Sequence, residues 1–300
     1  MMPAVVIGGV NVDMLAVPAA PLVPGVSNPG RVRIGAGGAG RNVAENLARL
    51  GVATRLIASA HAHPLTDLAI TQAAQAGVDT SGILRVPGRG NYYVAIEDRG
   101  AVQWAVSDMW AAEALTPGDL DARASLIREA AAVVVDANLH PSAIARAAEL
   151  AAGRPLCILP VSAAKAQKVR AALRHAALLV CGTPEAEVLS GARIRTAPDA
   201  LRAAQQLRPT PGAGVVLTMG DQGVAWVMGD QALWADPIPG PVVDPTGAGD
   251  AVAAVAVYAL LTSIDPRRAI RLATVAAAFT VGVEGATHLG LSLDALHAQL

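Results

Sequence analysis

Ala132-Val133-Val134-Val135, then Ser142 to Ala151, then Leu156-Cys157-Ile158-Leu159 is the stretch that decides the fold. Both short runs are apolar throughout, with no alternation of inward and outward positions, which is the pattern of strands covered on both faces. The Ala-rich segment between them has helical spacing and is long enough to carry the chain to a parallel neighbour. The same rhythm recurs outward in both directions. Ala4 to Ile7, Thr54 to Ala58, Leu178 to Cys181 and Gly214 to Thr218 read as further buried strands. Asn42 to Leu50, Leu65 to Ala76, Asp119 to Ala130, Ala164 to Leu173, Glu185 to Leu189 and Asp199 to Leu207 read as helices. The pattern predicts an α/β fold, a three-layer, doubly wound, mostly parallel sheet with helices on both faces.

Two segments break the rhythm: Arg31-Val32-Arg33-Ile34, and Tyr92 to Glu97 with Ala101 to Val106 around the turn Asp98-Arg99-Gly100. They alternate like antiparallel strands exposed on one face and predict a small accessory β-sheet, which would cover a site, join subunits, or form a plain edge meander. Pro18 to Pro29 reads as the loop leading into it. No repeat or linker divides the chain, so 1–300 is read as one domain, with accessory strands inserted at about 12–35 and 90–107.

Composition excludes several partners. Lys+Arg 23 against Asp+Glu 24 leaves a net charge of -1, so there is no basic footprint for nucleic acid and no polybasic membrane patch. A mean hydropathy of +0.43 raises the question of a membrane span. The longest uncharged runs, Ala251 to Ile264 and Leu272 to Val283, nevertheless fall short of the roughly 20 residues a spanning helix needs and read as buried helices. The N-terminus lacks a basic leader and reaches Asp13 early, so a signal peptide is not expected and the reading is cytoplasmic. Cys157 and Cys181 lie in apolar runs without metal-ligand spacing and read as buried thiols.

Chemistry concentrates in Asp244-Pro245-Thr246-Gly247-Ala248-Gly249-Asp250, just before the apolar run from Ala251. Small residues at a helix start let backbone N–H groups approach an anion, and the helix dipole favours phosphate there. Asp250 beside such a cradle is suited to take a proton from an attacking hydroxyl; the plainer reading is a capping Asp behind a tight turn. Near the N-terminus, Gly8-Gly9-Val10-Asn11-Val12-Asp13 follows the first strand, where open α/β sheets present ligands, and Asn11 and Asp13 have donors and acceptors for hydroxyls or serve the turn itself. The dinucleotide pattern GxGxxG is absent from that position. Gly35-Ala36-Gly37-Gly38-Ala39-Gly40-Arg41-Asn42 leads into a helix, with Asn42 as cap or hydroxyl ligand and Arg41 read as a surface residue.

Gly37 to Asn42 with Gly51, and Asp244 to Asp250 some two hundred positions later, resemble the two signatures of the ribokinase-like (PfkB) carbohydrate kinases, in the family's order and over nearly the whole chain. Gly40 to Gly51, Ser27 to Gly30, Asp108-Met109, Leu115 to Pro117, Asp136 to Asn138 and Pro160 to Ser162 with Lys165-Ala166 look most like the pseudouridine kinases of bacteria within it. The resemblance implies transfer of the γ-phosphoryl group of ATP, with Mg²⁺, to the 5′-hydroxyl of pseudouridine. It implies Asp250 as base and Gly247, Ala248 and Gly249 as anion hole. Asn11, Asp13, Gly38 and Asn42 would hold the ribose, with Tyr93 and Asn138 as nucleoside contacts, each equally explained as packing or a cap. Thr218, Gly220 and Gly223 would line the ATP site, and Glu185 would organise Mg²⁺ through water. Asp244 and Thr246 would lend carbonyls to a monovalent cation such as K⁺, and the accessory sheet would act as a lid joining a homodimer.

Two departures stand out. The family's Asn three residues before the magnesium Glu is Gly182 here, and His61-Ala62-His63-Pro64-Leu65-Thr66 replaces a glycine-flanked acidic segment. The two histidines are read as solvent-facing loop residues, Lys165 as a helix-surface lysine, and Val255 as a core replacement for a smaller residue. Other readings of the chain are a different nucleoside or sugar kinase of this fold, ribokinase- or adenosine-kinase-like, and a non-catalytic nucleoside-binding protein.

Overall fold

In the computed structural model, which describes residues 2–98 and 101–300, the apolar runs assemble into a nine-stranded sheet. The chain begins with β1 (Ala4–Ile7), β2 (Asn11–Pro18), β3 (Gly30–Gly37), α1 (Ala39–Arg49), β4 (Thr54–Ile57), β5 (Ser59–His61), α2 (Pro64–Gln75), β6 (Val78–Asp79) and β7 (Leu84–Val86). It continues through β8 (Asn91–Asp98), β9 (Ala101–Met109), α3 (Trp110–Glu113), α4 (Pro117–Asp121), α5 (Ala124–Arg128), β10 (Ala132–Asp136), α6 (Pro141–Leu150) and β11 (Leu156–Leu159). It ends with β12 (Leu178–Gly182), α7 (Thr183–Ser190), α8 (Ala197–Gln206), β13 (Gly214–Thr218), β14 (Val224–Met228), β15 (Gln231–Ala235), α9 (Ala248–Thr262), α10 (Pro266–Val281) and α11 (Leu293–His297).

The main sheet runs β15-β14-β13-β12-β11-β10-β1-β4-β6, parallel from β6 to β13 and antiparallel over β14 and β15. Successive strand residues feed two separate cores. Ala4, Val6, Val134 and Cys157 pack under α1, α9 and α10, whereas Val5, Ile7, Val133, Val135 and Ile158 pack under α6 and α8. Both faces being covered, neither alternate set can be polar, which is why the strands are apolar throughout. The order reverses at β1, whose neighbours are β4 on one side and β10 on the other. Strand ends diverge at such a point and leave a crevice at their carboxyl ends.

The accessory strands form a second, four-stranded sheet in the order β3-β2-β8-β9, antiparallel except for the parallel pair β2–β8. Arg99 and Gly100 of the expected turn lie outside the described residues. The register places Ile34, Met14, Val94 and Val106 in one row across the sheet and Val32, Ala16, Ile96 and Trp104 in the next. Val32, Trp104 and Val106 are 67%, 60% and 69% exposed, so this face is apolar and uncovered in the isolated chain. The opposite face, with Asp13, Arg33 and Tyr93, looks onto a cavity.

Local differences from the sequence reading have local causes. Asp119 to Ala130 is two short helices broken at Ala122-Arg123, with a Thr116–Asp119 capping box starting the first three residues earlier than the apolar pattern suggests. Ala164 to Leu173 is irregular, with single 3₁₀ turns at Ala166–Val169 and Leu173–His175. α9 begins at Ala248, so Asp250 sits inside its first turn rather than ahead of it. Among the described residues no helix is long and apolar enough to cross a membrane.

Ile158 is fully buried in a central strand, whereas Leu68 on α2 is 56% exposed. Ile158→Ala is therefore expected to cost about 2–5 kcal/mol and Leu68→Ala within about 0.5 kcal/mol, read from urea midpoints at unchanged slope.

Candidate functional site

The carboxyl ends of β1 and β10 are joined by one side chain. Asp136, with no exposed surface, accepts N–H bonds through Oδ2 from Gly9 (2.9 Å) and Gly40 (2.8 Å) and through Oδ1 from Asn138 (2.8 Å). Gly38, at φ 97°, permits the close crossing this demands, since a Cβ there would collide with the carbonyl of Gly9. The strand-end loop and the start of α1 are thereby fixed against each other, and α1 presents Arg41 and Asn42 inward.

Arg41 is not a surface residue: its side chain is completely buried. The guanidinium donates through Nε (3.1 Å) and Nη2 (2.7 Å) to Asn42 Oδ1 and through Nη1 to Glu45 Oε2 (3.0 Å). Charge in a buried position is tolerated when it is paired and hydrogen-bonded, and the sequence offered no sign of that partner set. Asn42 then donates through Nδ2 to Asp250 Oδ2 at 2.7 Å.

Asp250 is half-buried in the first turn of α9, where backbone N–H groups have no intrahelical acceptor. Its carboxyl is pushed up to about 7, first by burial and then by the charges of Asp136 and Asp13, against the Asn42 hydrogen bond and Arg41, which pull it down. Gly247 caps the helix at φ 81°; a Cβ there would run into the carbonyl of Ala286, so this position admits glycine alone. Ala248 and Gly249 follow as the first two helical residues, and no atom lies within 4 Å of where a Gly249 side chain would be. That is an open backbone cradle at a helix N-terminus, suited to an anion.

Three spaces meet around this turn. A cavity of about 190 Å³ is lined by Gly249, Asp250, Glu185, Thr218 and Val161. Gly182, Glu185 and Thr218 also line a groove of about 450 Å³ that continues past Gly220. On the other side, beneath the accessory sheet, Asp13, Arg33, Tyr93, Asp244 and Thr287 line a cavity of about 340 Å³. Burial raises the Asp13 carboxyl to about 6, with Asp244 adding to the rise and Arg41 opposing it. Burial followed by the Asp13 charge also raises the Tyr93 phenol. Asn11 is buried beside them, and Asn11 Oδ1 and Asp13 Oδ1 have no hydrogen-bond partner among the described residues. Unpaired buried acceptors at a cavity wall suit a ligand's hydroxyl groups.

Other expected residues fall less directly. Asn138 is outside the 340 Å³ cavity, its amide engaged by Asp136 (3.1 Å) and by the Lys165 ammonium (2.7 Å). Lys165 is half-buried and also reaches Ser107 Oγ of β9 at 3.3 Å, so it ties core to accessory sheet instead of standing on a helix surface. Gly223, at φ 128°, packs against the backbone of Ala235 and the Trp234 ring, which is a structural use. Asp244 is buried, its carboxylate accepting from Thr246 N (2.9 Å) and Gly285 N (3.2 Å) and facing Arg33 at 3.4 Å. Glu185 Oε2 accepts the Gly182 N–H at 2.7 Å, and a side chain at Gly182 would press on that carboxylate. His61 and His63 are half-buried and stacked, His63 capping α2 and meeting Tyr92 edge-on, so they are not free loop residues. Val255 is buried in the core, as expected.

Val161 was not legible beforehand. It has φ 67°, with Ser162 N–H bonded to the Pro160 carbonyl at 2.8 Å, a positive-φ γ-turn that a β-branched residue adopts under strain. The turn aims its side chain at the cavity holding Asp250.

A family model described as pfkB family carbohydrate kinase matches residues 1–292. The chain is 33% identical over 253 residues to the pseudouridine kinase of Escherichia coli (strain K12), covering 83% of this chain and 81% of that one. It is 28% identical over 301 residues to the guanosine-inosine kinase of Exiguobacterium acetylicum, covering 98% of each. An E. coli chain solved in complex with ATP and Mg²⁺ superposes with a TM-score of 0.82 at 18% identity, over 99% of this chain and 98% of that one.

The raised Asp250 carboxyl makes a pH-dependent contribution with a defined sign. The folded state holds that proton more tightly than the unfolded state, so stability falls as pH rises from the ordinary 3.8 through about 7. Urea midpoints over that interval should decline for the wild type relative to Asp250→Asn, and parallel curves would remove the carboxyl from its strained setting.

Proposed function

The chain belongs to the pfkB family of carbohydrate kinases, ATP-dependent enzymes acting on sugars or nucleosides, and we propose that it phosphorylates the 5′-hydroxyl of pseudouridine. The observation that carries the chemistry is the Asn42–Asp250 hydrogen bond of 2.7 Å beside the open N-terminus of α9, between a hydroxyl-binding cavity and a groove. The substrate assignment is supported by the likeness to the E. coli pseudouridine kinase.

In this reading the ribose lies in the 340 Å³ cavity, with hydroxyls held by Asn11 and Asp13 beside Gly38 and Asn42. Tyr93 flanks the nucleoside from the accessory sheet, and Asn138 acts from behind, by holding Lys165. Asp250 accepts the proton of the primary hydroxyl as its oxygen bonds to the γ-phosphorus and the bridging oxygen departs with ADP. The N–H groups of the Gly247–Gly249 cradle stabilise charge on the transferring group, and Thr218 and Gly220 line the nucleotide groove. Mg-ATP supplies the phosphoryl group. The donor set fits that ion: among the described residues no cluster of three acidic, His or Cys ligands forms a protein cage. Glu185 faces both nucleotide-side spaces, as suits Mg²⁺ held largely through phosphates and water. Asp244 and Thr246 would serve K⁺ through backbone carbonyls, the Asp244 carboxylate being already engaged.

The exposed apolar rows of the accessory sheet fit a second copy of the same sheet packed face to face, which would make the protein a homodimer with the sheet as a shared lid.

ATP-dependent phosphorylation across pseudouridine, uridine, guanosine, inosine and ribose should show preference for pseudouridine, with Asp250→Asn reducing kcat about 10²–10⁴-fold. Preference for another acceptor would keep the kinase and replace the substrate. Sedimentation should find a dimer for the wild type and a monomer for a Trp104→Glu, Val106→Glu variant.

A further inference from the structure

The Asn42 amide is the link between Asp250 and a chain of buried groups that the chemistry above does not use. Its oxygen accepts two guanidinium N–H groups of Arg41, at 3.1 and 2.7 Å. Two donors on one oxygen leave the amide a single orientation, with its NH₂ group turned to Asp250 Oδ2. Flipped by half a turn, the amide would set its oxygen against the carboxylate and its NH₂ against the guanidinium, unfavourable at both ends. Arg41 is itself held from behind. Glu45, with no exposure, accepts Arg41 at Oε2, and its Oε1 accepts from Arg49 (3.1 and 2.9 Å) and from Thr287 Oγ1 (3.0 Å). The result is a continuous line from Thr287 and Arg49 through Glu45, Arg41 and Asn42 to Asp250.

We propose that Arg41 is a positioning residue for the catalytic base: its guanidinium locks the Asn42 amide in the orientation that donates to Asp250 and so keeps Asp250 ionised and aimed for proton transfer. This rests on the reading of Asp250 as the base. The charged groups around Asp250 are Arg41 from α1, Asp13 from β2 and Asp136 at the end of β10, with Glu185 of α7 across the same cavity. Those facing Arg41 are Glu45, Asp13, Asp250 and Arg49. Arg41 supplies the favourable charge facing Asp250; Asp136 and Asp13 oppose ionisation.

The sign follows. Removing Arg41 takes away a positive charge and frees the amide, and both changes disfavour the ionised carboxyl, so the pH at which the base becomes competent moves up. The test is kcat/KM of the full-length enzyme with its nucleoside from about pH 5 to about pH 10, for wild type, Arg41→Lys, Arg41→Met and Asp250→Asn. Arg41→Met should shift the rising limb upward by about one pH unit or more and lower kcat about 10- to 100-fold near neutrality. The loss should be partly recovered in alkali, with nucleoside KM changed far less than kcat. Arg41→Lys keeps the charge but not the two-donor grip and should fall between. It also keeps the test decidable if Met, which leaves Glu45 without its buried partner, does not fold. An unshifted limb in a folded Arg41 variant, whether kcat is lowered evenly at all pH or not at all, overturns the proposal. A limb that survives in Asp250→Asn overturns instead the assignment of the base.

Discussion

The Asp136 carboxylate is the constraint on which the site depends. At the reversal of strand order, two loops must pass within contact of each other, and their backbone N–H groups have no sheet partner to satisfy them. One buried side chain accepts from Gly9, Gly40 and Asn138 and joins the ends of two strands to the start of α1. Everything directed inward from α1 inherits that placement, including the Asn42 amide on Asp250. The pair of glycines at 38 and 40 is explained first by this crossing, where a Cβ would meet backbone, and only then by access for a ligand.

The fold was largely legible because a parallel sheet covered on both faces leaves no polar positions in its strands, and that absence survives in single sequence. Ala132 to Val135 and Leu156 to Leu159 were read as they stand, to within a residue. The base and its cradle were legible because small residues before an apolar helix have few other uses. Arg41 was misread because burial of a guanidinium is decided by partners, and a lone Arg after a glycine run carries no mark of them. Lys165 failed for the same reason: its partner Asn138 is 27 residues away and Ser107 is 58 residues away. Val161 had no signal at all, since valine is among the residues least expected at positive φ.

The charge balance of the site is set by geometry more than by composition. Asp13, Asp136 and Asp250 crowd one buried region, with Arg41 the cation among them. Lone carboxylates at these depths would hold their protons at neutral pH. The guanidinium and the Asn42 donor keep Asp250 near the middle of the physiological range, where proton acceptance from an alcohol and its return to solvent are both accessible.

The hydrogen bond between Asn42 and Asp250 spans 208 positions of sequence. Loop closure over that distance is entropically costly and comes late in folding, after the local strand–helix–strand units have formed. The N-terminal half can hold its ribose-side groups and its buried arginine line without ever meeting α9. Chains released before that helix has emerged thus carry no proton acceptor, and a cell is spared an exposed, half-built ATP-consuming surface. Phosphoryl transfer is in this sense an assay of long-range closure: it registers the last contact to form, not the stability of either half.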